Sequence, residues 1–145
     1  SVNVDIVEGG TRANVIAERA RAVVDVRVAR QADGHALNMK FLRLRPILPG
    51  ARIEVSGGVS RPPLERKVTV GLFRTAQRLG REMGLRLEES FVGGGSDGNW
   101  TAALGIPTLD GLGAVGDGAH AAHEHVLTRR LPQRAALLAG LILSS

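Results

Sequence analysis

The strongest constraint on this 145-residue chain lies near its middle, where Gly57-Gly58 is followed by Arg61-Pro62-Pro63. Proline has no backbone N–H to donate and disfavours helical geometry in the residue before it. Neither a helix nor a central strand can run through such a segment. The sequence is therefore read as two parts, 1–58 and 59–145, and its length suits two half-domains as well as one ordinary domain.

In the first part, Val2, Val4 and Ile6 alternate with Asn3, Asp5 and Val7, the period of a strand. Gly9-Gly10 marks a turn, and Asn14 to Ile16 is expected to begin the return. Ala20 to Ala29 forms a second β-rich run, with Val24, Val26 and Val28 on one face and Asp25 and Arg27 on the other. Leu37, Phe41 and Leu44 then recur at helical spacing across 31–45, until Pro46 and Pro49-Gly50 stop the helix. Arg52 to Val55 is expected to be a further short strand. This order suggests an α+β layer whose first strand has a bare edge, open to pairing with another chain.

The second part alternates helix and strand in the α/β manner. Phe73, Ala76, Leu79 and Met83 mark an amphipathic helix over Arg66 to Met83, closed by Gly84. Arg86 to Val92 is expected to be a strand, Gly93 to Gly95 a turn, and Ser96 to Leu104 a helix. Ile106 to Leu109 resembles a buried strand. A glycine-rich loop, Gly111 to His125, precedes a final helix over Leu131 to Leu143, with Pro132 in its first turn.

Composition excludes several classes. There is no cysteine, so disulfides and thiolate metal sites are ruled out, compatible with a reducing, cytoplasmic setting. The opening residues SVNVDIVEGG lack the basic-then-apolar pattern of a leader, and the longest apolar stretch, Ala135 to Leu143, is too short to span a bilayer. A net charge of +5 raises the question of nucleic acid, yet the arginines are scattered and only 3% of residues are aromatic. A solvated basic surface, or attraction of anionic substrates, is the expectation instead. Neither a nucleic-acid nor a membrane partner is expected.

Three of the four histidines fall in Gly118-Ala119-His120-Ala121-Ala122-His123-Glu124-His125. Imidazole and carboxylate are good zinc ligands, but a solvated polar loop explains the same residues. So closely spaced a set converges on one ion only with strain. The loop Val92-Gly93-Gly94-Gly95-Ser96-Asp97-Gly98 can bring backbone close to a ligand, or can simply be a tight turn. Ser96 or Asp97 is a candidate helix cap. Arg27 can grip a carboxylate through its fork, or can pair with Asp25. Asn14 fits ordinary turn chemistry, Arg61 a linker charge, and His35 an exposed helix start.

The order of these motifs resembles the zinc-dependent carboxypeptidase/aminoacylase family, which includes glutamate carboxypeptidase, acetylornithine deacetylase and succinyl-diaminopimelate desuccinylase. Gly9-Gly10-Thr11-Arg12-Ala13-Asn14-Val15-Ile16 followed by Asp25-Val26-Arg27 is similar to that family's lid, or dimerisation, domain. Val59-Ser60-Arg61-Pro62-Pro63-Leu64-Glu65 resembles the return to the catalytic domain. Gly93 to Trp100, then Gly105-Ile106-Pro107-Thr108-Leu109-Asp110-Gly111-Leu112-Gly113, is the most specific match, and Gly118-Ala119-His120 with Glu124-His125-Val126 completes it. Among the members, the glutamate carboxypeptidase type is the nearest match.

The resemblance implies part of a ferredoxin-like lid over 1–58 and the C-terminal portion of a three-layer α/β/α catalytic domain over 59–145. It implies a di-zinc hydrolase of N-acyl amino acids or C-terminal glutamate-type substrates, dimeric through the lid. His120 matches the last zinc ligand. Asn14, Arg27 and Arg61 match substrate-contacting positions, Gly94, Gly95 and Ser96 match the loop beside the substrate, and Asp97 would support that loop. Ala17 stands where a proline is usual, while Ala122 and His123 replace the common proline and acidic or amide residue. The family's His-x-Asp motif and its Glu-Glu pair with the general base have no counterpart, since the only such pair, Glu88-Glu89, falls after the lid motifs. The first strand-helix unit of the lid is also missing. The chain is therefore expected to be a truncated and inactive portion of the enzyme, without both zinc ions. A reading from another class is a non-catalytic dimerisation or binding module.

Overall fold

The computed structural model describes residues 1–144, a mixed α/β chain with two small antiparallel sheets and four α-helices among those residues. It divides into two compact units, Ser1–Pro63 and Leu64–Ser145, so the break falls at the proline pair. No helix among the described residues is long and apolar enough to cross a membrane.

The first unit is a hairpin followed by a helix. Strand β1 (Val2–Gly9) pairs antiparallel with β2 (Ala20–Val26), from Val2 opposite Val26 to Gly9 opposite Ala20. An irregularity between Val4 and Ile6 leaves Asp5 as the extra residue of a bulge. Ser1 extends the ladder, accepting from the Arg27 amide at 3.0 Å and donating its own N-terminus to the Arg27 carbonyl at 2.8 Å. Helix α1 (Gln31–Leu42) starts without a side-chain cap, but Arg30 grips Asp33 with two bonds of 2.8 and 2.9 Å. Gly34 is buried under the methyls of Val28 and Val59, each 3.4 Å from where a Cβ would sit.

Three expectations are corrected in this unit. The return strand starts at Ala20, not in the segment 14–16: Asn14 sits in a turn and Ile16 is 95% exposed. Gly9 faces Ala20 closely enough that a Cβ would lie 3.0 Å from the alanine methyl, which marks where the ladder closes. Helix α1 ends at Leu42, leaving Leu44 exposed. Arg52 to Val55 forms no strand. A β-rich segment becomes a strand only when another backbone takes up its N–H and C=O groups, and this one has none among the described residues.

The second unit is held together by helices. In α2 (Arg66–Glu82) Leu72, Phe73, Ala76, Leu79 and Gly80 turn inward, while Arg74, Arg78 and Arg81 face solvent. Its small residues admit close neighbours. Leu79 packs on Gly140 of α4 (Leu131–Leu143), and Leu87 lies over Gly80, where a Cβ would come within 3.0 Å of its side chain. Ala76 and Leu137 are each 1% exposed. Gly84 ends α2 in a left-handed conformation (φ 70°), its amide on Arg81 and that of Leu85 on Gly80, at 3.1 and 2.7 Å. These are the paired bonds of a Schellman ending. Helix α3 (Gly98–Ala103) ends the same way at Gly105, with Gly105 and Ile106 donating to Ala102 and Thr101.

Neither Arg86–Val92 nor Ile106–Leu109 is a strand among the described residues, and Ile106 is half exposed rather than buried. Several of their bonds run to α2 or to α3. The Leu87 carbonyl accepts from Gln77 at 3.1 Å, and the Thr108 amide donates to the Val68 carbonyl at 3.3 Å. With no parallel neighbour to complete a ladder, β propensity alone leaves them irregular.

Candidate functional site

The loop carrying most of the histidines is a short hairpin. Strand β3 (Gly116–Asp117) pairs with β4 (His125–Val126), and below them the Leu127 amide donates to the Val115 carbonyl at 2.8 Å. The approach at the base is close: a Cβ on Gly116 would collide with the His125 carbonyl oxygen. Asp117 then accepts from the Gly118 amide at 2.7 Å, and Gly118 takes a positive φ of 74°. His123 leans its ring against Gly118, leaving no room for a side chain.

His120 stands near the tip and is the one non-glycine residue with a positive φ, 67°, among the described residues. This left-handed conformation is strained for a residue with a Cβ. Local bonds hold it. The Glu124 carboxylate accepts from the His120 amide at 3.2 Å, Ala121 donates to Gly118 at 2.8 Å, and Glu124 donates to Ala121 at 3.0 Å. His125 Nδ1 turns back to the His123 carbonyl at 3.0 Å, so that ring lies along the loop. His120 itself is exposed.

The glycine loop is built differently. Gly94 and Gly95 are exposed, whereas Ser96 is half-buried and organises the start of α3. The Ser96 amide donates to Asn99 Oδ1 at 2.8 Å, and Ser96 Oγ accepts from the Gly98 amide at 3.2 Å. This reciprocal pair resembles a capping box. Of the two candidate caps, Ser96 supplies the oxygen, and Asp97 makes no side-chain cap bond. Asn99, buried, was not singled out from sequence, although Ser-x-x-Asn is the spacing that signals it. Thr101 and Thr108 share a 2.8 Å hydroxyl bond that ties the segment after α3 back to that helix.

The other candidates lie in the first unit. Asn14 is an exposed turn residue. Arg27 Nε donates to Asp25 Oδ2 at 2.7 Å, which puts both side chains on the strand face expected of them. That hydrogen bond, then the Asp25 charge and more weakly that of Asp5, holds the guanidinium still more firmly protonated than usual. Only Nε is engaged, so the terminal nitrogens keep their donor capacity, and the side chain is 53% exposed. Arg61 is exposed beside the proline pair.

Asn14, Arg27 and Arg61 thus fall in one unit and Gly94, Gly95, Ser96 and His120 in the other. Among the described residues no group of three or more His, Asp or Glu side chains converges as a metal site. His120 is a single exposed imidazole, and one ligand does not fit the di-zinc centre that the resemblance implies.

Arg134 lies in the first turn of α4. Its Nε and Nη2 donate to the carbonyls of Gly113 and Gly111 at 2.8 and 2.6 Å. No local pattern announces this contact, because its partners lie 21 and 23 residues earlier.

No curated protein matches this chain. The description of peptidase family M20/M25/M40, by contrast, matches residues 3–144, nearly the whole length. The glycine loop, the histidine hairpin and the β1–β2 strand pair therefore belong to a member of the M20/M25/M40 peptidase family, a family of hydrolases that are generally metal-dependent.

Proposed function

We propose that this chain is the lid and C-terminal catalytic portion of a di-zinc amidohydrolase of the glutamate carboxypeptidase type. Its substrates are N-acyl amino acids or peptides with a C-terminal glutamate. The observation that carries the reading is His120, exposed near a hairpin tip in a strained conformation that the surrounding bonds maintain. Strain retained on a lone polar side chain is a mark of functional sites. In this reading His120 is one zinc ligand, and the other ligands and the general-base glutamate belong to polypeptide outside this sequence.

Within the same reading, Arg27 receives the substrate carboxylate on its free terminal donors, which suits a group that never loses its proton. Asn14 and Arg61 contact the substrate, and the Gly94-Gly95-Ser96 backbone lines its path. The segments around 86–92 and 106–109 are strands of a three-layer α/β/α domain once their neighbours are present. The first unit is part of a ferredoxin-like lid that dimerises. Every residue of β1 is exposed, and among the described residues β1 has only β2 as a strand partner, which leaves its far edge open. The intact enzyme works as a soluble cytoplasmic protein without nucleic-acid or membrane partners.

The chain alone is expected to show no amide hydrolysis and no tight zinc. Metal analysis finding about two tightly held zinc ions per chain would overturn this, because one ligand cannot retain them. An upstream-extended protein is expected to recover both zinc and hydrolysis of N-acyl amino acids. A second reading is a non-catalytic dimerisation or binding module. It predicts that the extended protein gains neither.

A further inference from the structure

Arg134 occupies an electrostatically poor position. The N-terminal end of a helix carries the positive end of the helix dipole, so a cation in the first turn is disfavoured. Helix α4 has no acidic residue in that turn, and Arg129 and Arg130 just before it add like charge. Offsetting this are two carbonyl acceptors, Gly113 on Nε at 2.8 Å and Gly111 on Nη2 at 2.6 Å. Gly111 has a φ of 74°, and a Cβ at either glycine would meet nothing within 4 Å, so Leu112, half-buried between them, is the one side chain of this stretch that packs.

The route of the chain gives the contact its consequence. From Gly111–Gly113 the backbone runs through Val115 and β3 to His120. It then returns through β4, Leu127 and the 3-10 turn Thr128–Arg130 into α4. Arg134 thus joins the outgoing arm to the helix that receives the returning arm. The Val115–Leu127 bond and the β3–β4 pairs zip the interval between clamp and tip. A planar fork with two bonds restrains rotation of the backbone it grips, which the single ammonium of lysine does not.

We infer that Arg134 is a positioning residue whose fork on Gly111 and Gly113 fixes the base of the loop and so the place of His120. Its importance for catalysis rests on the proposed reading of His120, whereas the clamp itself does not.

The test is amide hydrogen exchange by NMR on the full chain, comparing the parent with R134Q and R134K. Removing the fork in R134Q is expected to speed exchange at Ala121, Glu124 and Leu127 by about tenfold, while the α2 amides keep their rates. R134K, with its charge but not its fork, is expected to fall between. Unchanged rates at those three amides overturn the inference. So does a uniform rise across α2 and α4, which marks a residue that only stabilises the unit. If R134Q does not fold, R134K carries the same comparison. Zinc uptake by the upstream-extended protein separates the two claims. Local loosening without zinc uptake keeps the clamp and removes the metal reading, and zinc uptake without local loosening does the reverse.

Discussion

The two units of this chain reach order by different means. The first is organised by a backbone ladder: β1 and β2 pair along nearly their whole length, yet their apolar side chains remain largely open and Gly34 is its one buried residue. The second has almost no ladder but a small packed centre, in which Ala76, Ala102 and Leu137 are buried and α2 packs on α4. Hydrogen bonding in register can therefore specify a hairpin without a core, whereas helices need a packed face to be held. The candidate site residues divide along the same line. Those of the first unit lie just past a strand, in a turn and in the proline segment, and those of the second lie in loops braced by helices.

The largest expected effect tests the packed centre. Leu137→Ala should destabilise the second unit by about 2–5 kcal/mol, the range for emptying a buried leucine site. Urea unfolding followed at Trp100 would measure it. Amide protection across β1 and β2 should survive, and its loss would erase the contrast between the units.

Next comes the β3–β4 ladder of the second unit. Gly116→Ala places a methyl against the His125 carbonyl, so the β3–β4 pairs should part at a cost of about 1–3 kcal/mol. The Leu127 amide should lose protection in hydrogen exchange while α4 keeps its own. Retained protection would show that the hairpin can shift to accept a side chain.

A smaller effect concerns strain. His120 has a φ of 67°, so H120G should be more stable than H120A by about 1 kcal/mol, because only glycine relieves the left-handed backbone. Thermal unfolding of the two variants is the measurement. Equal stability would mean that the loop relaxes and the strain is not imposed by its surroundings.

The smallest effect is electrostatic. Arg66 donates to both oxygens of Glu89, at 3.0 and 2.9 Å, joining α2 to the segment after it. That hydrogen bond, with the arginine charge, lowers the Glu89 pKa from the ordinary glutamate value despite some opposing desolvation. The sign follows: a depressed carboxylate contributes stability above its unfolded pKa and loses it as pH falls through the lower folded value. The pair lies at the surface, so the gain is slight. Carboxyl NMR titration should place the Glu89 midpoint lower in the parent than in Arg66→Gln, and coincident midpoints would dissolve the pair.

Much of the local structure is legible in the residues themselves. Helix α2 runs Arg66–Glu82 against an expectation ending at Met83, and α4 spans the expected Leu131–Leu143, because a helix closes its hydrogen bonds within itself. Gly84 and the Ser96 cap are equally readable, since both act on neighbours a few residues away. Segments 52–55, 86–92 and 106–109 have strand composition but not strand structure. A strand needs a second backbone, and local sequence does not say whether one arrives.

The division holds for the candidate site as well. By itself the sequence suggested a break between residues 58 and 59, where the compact units divide after Pro63, and it carried the strand and helix periods and the glycines at which the chain can turn. It also carries the ordered motifs of the M20/M25/M40 peptidase family. Only the tertiary structure decided that Arg27 spends its Nε on Asp25, that His120 stands strained and exposed near a hairpin tip, and that Arg134 clamps the base of that hairpin. The first set depends on interactions a few residues apart, which composition and spacing encode directly. The second depends on where distant backbone atoms come to rest.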